Sequence, residues 1–159
     1  MIIIEGRDKL EINKMLYNAF DLSADIPSKA IKKQFPYKYG FEFLRILYTD
    51  FYSDILELNF AKKYDQYILT TFLDRDPILL LSFKNGNWDF NLALNASFEI
   101  ENSKYFNAPI GAVYAQYGFM SLDESWLVWA DRDYDIAILY SMEPLKMPLW
   151  YEEIDLTNL

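Results

Sequence analysis

Residues 113–140 read VYAQYGFMSLDESWLVWADRDYDIAILY, and their rhythm decides the fold. Val113 to Met120 fits a strand, with Val113, Ala115, Tyr117 and Phe119 on one side. The polar stretch Ser121-Leu122-Asp123-Glu124-Ser125 turns the chain into a hydrophobic strand, Trp126 to Ala130. Asp131-Arg132-Asp133 turns it again, into Tyr134 to Tyr140, where Ile136, Ile138 and Tyr140 share a face. Three strands joined by short acidic turns form an antiparallel meander.

The same period appears upstream. Ile78 to Phe83 reads as a buried strand, and Asn85-Gly86 is the favoured pair for a two-residue hairpin turn, whose central positions need positive φ. Trp88, Phe90, Leu92 and Leu94 then alternate with polar or small residues, as in a half-buried strand. Residues 1–5 suit a brief edge strand. Before residue 65 the spacing is helical instead. Asp8 to Phe20 predicts a helix with Leu10, Met15, Leu16 and Phe20 roughly on one side. Asp25-Ile26-Pro27-Ser28 offers helix-start chemistry for a short basic helix through Phe35, which Pro36 stops. From Phe41 to about Lys63, Leu44, Leu47, Phe51, Ile55 and Leu58 predict one long helix or two short ones, with a strand as the alternative for part of the stretch. No linker or repeat divides residues 1–159. The expectation is a single α+β domain, with N-terminal helices packed on a C-terminal, mostly antiparallel sheet of hairpins.

Composition removes many chemistries. The chain has no cysteine, which excludes disulfides, thiolate nucleophiles and Cys-ligated metals. It has no histidine, which removes the commonest general base and metal ligand. No Gly-rich phosphate loop, nucleophile elbow or HExxH motif occurs. Asp131, Asp133 and Asp135 resemble the start of a calcium loop, but Ile136 stands where that loop needs Gly and Met142 where it needs Glu. Paired acids such as Asp74 and Asp76 are the remaining route to catalysis, and a small carboxylate-dependent hydrolase is one alternative reading. A binding protein without cofactor or metal is the expectation. Apolar runs such as Ile78–Leu81 are far too short for a membrane span, and Met1–Glu5 lacks the pattern of a secretory signal. A soluble, cytoplasmic protein with no membrane partner follows.

Charge is divided unevenly. Residues 1–64 hold ten Lys/Arg against nine Asp/Glu, whereas residues 65–159 hold five against fifteen. The excess acid therefore lies in the second part of the chain, which repels nucleic acid and attracts basic proteins. Lys29, Lys32, Lys33 and Lys38, interleaved with Phe35, Tyr37 and Tyr39, form the one basic stretch and read as a solvated helix face. A structural or assembly subunit using an exposed edge strand is the third reading.

The segment Gly118 to Leu139, with its two acidic turns, its Ser-Trp pair and the closing Asp-Ile-Ala-Ile-Leu, resembles a C-terminal hairpin of immunity proteins from bacterial polymorphic-toxin and contact-dependent inhibition systems. That resemblance implies an antidote, monomeric when free, that neutralises a cognate toxin domain, typically a basic one such as a nuclease. Asp123, Glu124, Asp131, Asp133 and Asp135 are then the expected charged contacts. Tyr114, Tyr117 and Trp129 are anchors if they face outward.

Overall fold

A computed structural model describes residues 2–3, 6–21, 23–24, 27–47, 49–60, 66–71, 79–84, 87–88 and 116–157. The helices lie mostly N-terminal and the sheet is antiparallel, an α+β arrangement. Helix α1 (Gly6–Ala19) follows strand β1 (Ile2–Ile3), and α2 (Pro27–Ala30) is a single turn. Strand β2 (Tyr37–Glu42) runs into a 3-10 turn, Phe43–Leu47. A continuous helical stretch then comprises α3 (Thr49–Phe51), a π-helical segment Tyr52–Glu57 and α4 (Leu58–Phe60). The remaining strands are β3 (Gln66–Thr71), β4 (Leu79–Lys84), β5 (Asn87–Trp88), β6 (Gln116–Ser121), β7 (Trp126–Asp131) and β8 (Ile136–Ser141). Across the sheet the order is β1-β4-β3-β6-β7-β8-β2, with β5 paired to β4, and every neighbouring pair is antiparallel.

The meander β6–β7–β8 has the expected order, although β8 begins at Ile136, leaving Tyr134 in the turn, and residues 113–115 lie outside the described residues; Lys84 pairs with Asn87 across two residues, as a two-residue hairpin requires. Asn85, Gly86 and the predicted continuation through Leu94 lie outside the described residues. Two strands, β2 and β3, were not anticipated. The short basic helix also ends earlier than expected, because Ile31 bridges Phe20 and the Lys32 N–H donates to the Ala19 carbonyl at 2.9 Å. Leu10 is 65% exposed, so it does not share the buried side of α1 with Leu16. Six residues apart at about 100° each, the two point well away from one another.

Both faces of the central strands are buried. Trp126, Val128, Ala130, Ala137 and Leu139 face a cluster with Phe41, Phe43, Phe51 and Ile55 from β2 and the helical stretch after it. On the opposite face, Leu127, Trp129, Ile136, Ile138 and Tyr140 pack against Leu16 and Ala19 of α1, against Phe20 just beyond it, and against Ala30 and Phe35. Burying one such large side chain fully contributes roughly 1.5–3 kcal/mol.

Each strand of the meander ends in a buried polar residue that organises the next turn. At the end of β6, Ser121 Oγ accepts the Ser125 and Trp126 N–H groups at 3.1 and 3.3 Å. Ser141 Oγ, ending β8, accepts the Glu143 N–H at 3.2 Å. Asp131 plays the same part at the end of β7. These acceptors hold backbone N–H groups of the turns and strand ends in place.

The segment after β8 wraps edge strand β2. Tyr39 Oη accepts the Leu145 N–H at 2.8 Å, and Trp150 Nε1 donates to Asp54 Oδ2 at 2.8 Å. That indole bond and the Ser53 hydroxyl hold the Asp54 carboxyl below its ordinary range. Arg45, paired with Asp50 at 2.6 Å, lies 3.7 Å from the Trp150 ring centroid, a cation–π contact. Farther along, Leu156 passes so close to Gly40 that a Cβ there would stand 2.8 Å from Leu156 Cδ2 and 3.2 Å from Ile154 Cβ. The tail thus covers a strand edge that would otherwise invite pairing with another chain. Gly40→Val is expected to lift this strap: limited proteolysis should cut residues 152–157 at least several-fold faster while the core stays folded. Unchanged cleavage would show that the strap does not depend on the missing side chain.

Candidate functional site

The five carboxylates expected as charged contacts do not share one face. Asp123 and Glu124 lie in the β6–β7 turn, and Asp133 and Asp135 in the β7–β8 turn. These turns flank β7 at its two ends, so roughly 17 Å of strand separates them at about 3.3 Å per residue. An antiparallel meander must place successive turns at opposite ends of the sheet.

The two ends also differ chemically. Glu124, at φ 57°, meets Lys33, whose Nζ lies 4.0 Å from Oε2 and donates to the Glu124 carbonyl at 2.7 Å. A cation from the helical half therefore offsets that end. Asp123 Oδ1 accepts from Ser125 N and Oγ at 3.1 and 2.7 Å, an Asx turn repeated at Asp21–Ser23 and Asp155–Thr157. Asp131 is only 5% exposed. Its Oδ1 accepts the N–H groups of Asp133 and Tyr134 at 2.8 and 3.2 Å, and its Oδ2 accepts Gln116 Nε2 at 2.9 Å. Burial pushes the Asp131 carboxyl above its ordinary range despite these bonds. It holds the turn and is not a surface contact.

At the far end of β7, Asp133 and Asp135 are exposed, and Asp135 adopts φ 53°. The Phe43 N–H donates to the Asp135 carbonyl at 3.3 Å, which brings the end of β2, with exposed Glu42 and Leu44, against this turn. Glu152 of the tail borders the same concavity as Glu42, a space of about 200 Å³ that includes Arg45 and Trp150. Between the two turn acids, Tyr134 is 57% exposed. An exposed aromatic ring between Asp133 and Asp135 is thus presented at the end of the sheet where β2 closes with Glu42.

Of the anchors expected from the sequence, Trp129 lies in the core. It is fully buried in the cluster beneath α1, because continuous apolar strands place side chains against both covering layers. Tyr117 pairs with Ala130 in β6, and Tyr114 lies outside the described residues. Tyr134, Glu42 and Glu152 were missed. The usable signal was Tyr134's place in the middle of a tight polar turn, where side chains point to solvent.

Asp131, the carboxyl raised by burial, borders none of the three concavities at Lys33–Tyr140, Lys38–Thr157 and Glu42–Trp150. Where two tail carboxylates, Glu153 and Asp155, do border one concavity, Asp155 is held below its ordinary range by Thr157. Among the described residues no cluster of acids fits a metal ion, and no helix is long and apolar enough to cross a membrane. No family model, curated protein or solved structure matches the chain.

Proposed function

We propose that this chain is an immunity protein that binds and neutralises a basic toxin domain, using the end of the sheet formed by the β7–β8 turn and its neighbours. The observation that carries this reading is the exposed Tyr134 with Asp133 and Asp135 beside it and Glu42 and Glu152 close by. None of those four carboxylates forms an ion pair or accepts a hydrogen bond among the described residues, so each keeps its charge for a partner. Arg132 in the same turn leaves the patch net acidic.

Such an arrangement separates two tasks. Solvated carboxylates steer a positively charged partner over distances comparable to the Debye length, about 8 Å at physiological salt. A partly exposed ring then supplies the apolar contact that slows dissociation. In a nuclease-type toxin, the acids would occupy the cleft that otherwise holds phosphates. The closed β2 edge argues against assembly by strand addition at that edge.

The test is binding of the full chain to a candidate toxin domain, sought first in the neighbouring reading frames. Association should slow about tenfold between low and physiological salt. Asp133→Lys with Asp135→Lys should slow association further and leave thermal stability intact. Tyr134→Ala should cost about 2 kcal/mol or more, chiefly through faster dissociation. Association rates indifferent to salt and to both charge reversals would sink the steering role.

A further inference from the structure

We infer that the cleft between α2, the Phe35 segment and β8 is a binding site for a small carboxylate carried on an apolar body. It lies on the face of the sheet covered by α1, apart from the acidic end. Its volume is about 350 Å³, at the low end of the range for small-molecule sites.

Three features specify the occupant. Phe35 and Tyr140 form the aromatic wall, with ring centroids 5.9 Å apart, and Ile138 and Leu156 continue the apolar lining. A cation stands over each ring: Lys33 Nζ is 5.6 Å from the Phe35 centroid, and Lys38 Nζ is 5.8 Å from that of Tyr140. Lys33 is already committed to Glu124. Lys38 makes no ion pair among the described residues, and its ammonium is therefore available at the rim. The third feature is Tyr140 itself. It is 4% exposed and borders the cleft, yet its hydroxyl forms no hydrogen bond with any described residue.

That hydroxyl is a donor at the cleft wall, open to an acceptor seated there. A carboxylate accepts from that O–H and from Lys38 together, while its alkyl or aryl body covers Phe35, Ile138 and Leu156. A neutral ligand would leave the ammonium unanswered, and a bare inorganic anion would leave the apolar wall wet. The tail carboxylates Glu153 and Asp155 border the adjoining concavity, which shares Lys38 with this one, and neither forms an ion pair with Lys38 among the described residues.

The test uses the intact chain and 3-phenylpropionate as probe, followed by amide chemical shifts. Saturable shifts at Phe35, Lys38, Ile138 and Tyr140 are expected at millimolar probe or below. The matched neutral 3-phenylpropionamide and inorganic phosphate should each bind at least tenfold more weakly. Tyr140→Phe and Lys38→Met should each weaken 3-phenylpropionate about five- to tenfold. Lys38 is exposed, so its replacement leaves the fold intact and keeps the experiment decisive if Tyr140→Phe is destabilised. Shifts that never saturate, equal affinity for the amide or for phosphate, or full affinity in Lys38→Met would each overturn the assignment.

Discussion

Trp129→Ala will destabilise the protein by about 3–5 kcal/mol, whereas Trp129→Phe will cost about 1 kcal/mol or less. The indole is fully buried beside Leu16, Phe20 and Ile138, so truncation to alanine leaves a cavity that helix and sheet cannot close without moving apart. Phenylalanine retains most of the ring. It also removes Nε1, a buried donor with no hydrogen-bond partner among the described residues, and that relief offsets part of the lost volume. Urea unfolding checks both, with the midpoint falling and the slope unchanged. The pair also separates two roles for this residue. A partner-facing anchor would lose affinity on truncation and keep its stability; a core residue does the reverse. Equal, small losses for both substitutions would show that Trp129 is not enclosed.

How much of this was legible in the sequence depends on the range of the interaction that fixes each element. The meander was readable because its turns are local: five apolar residues, Trp126 to Ala130, separate two polar clusters, and the chain reverses at each. The register around Asn85-Gly86 followed from two residues alone. Strand β2 was not readable, because its pairing partner β8 lies about a hundred residues away and Tyr37 to Glu42 is too short for its alternation to compete with the helical spacing that follows. Once paired, Tyr39 and Phe41 face one cluster while Gly40 admits Leu156 on the other side. The acidic residues failed for a related reason. Sequence shows that Asp131, Asp133 and Asp135 alternate, but not that the first ends a strand and the others lie beyond it. Continuous apolar runs in β7 and β8 carried a signal of burial on both faces that would have kept Trp129 off the surface.

Asp131→Ala will cost about 1–3 kcal/mol, while Asp133→Ala and Asp135→Ala will each change stability by about 0.5 kcal/mol or less. The alanine removes the acceptor for two turn N–H groups and for buried Gln116, and the Asp131 carboxylate is itself too enclosed for water to replace it freely. Asp131→Asn is the informative variant, because its side-chain oxygen still accepts the Asp133 and Tyr134 N–H groups but no longer titrates. Burial raises the folded-state pKa of Asp131 above the ordinary value of about 3.9. Protonation is therefore favoured by folding, and the stability it brings is fully present below the unfolded pKa and lost as pH rises through the folded one. The advantage of the wild-type chain over Asp131→Asn should accordingly be greatest near pH 3–4 and shrink toward neutrality, as read by urea midpoints across that range. An advantage that grew with pH would mean that the ionised carboxylate is the form the turn prefers, with hydrogen bonding outweighing desolvation. In either case binding of the proposed partner should follow Asp133, Asp135 and Tyr134, and respond to Asp131 only as far as the turn itself is loosened.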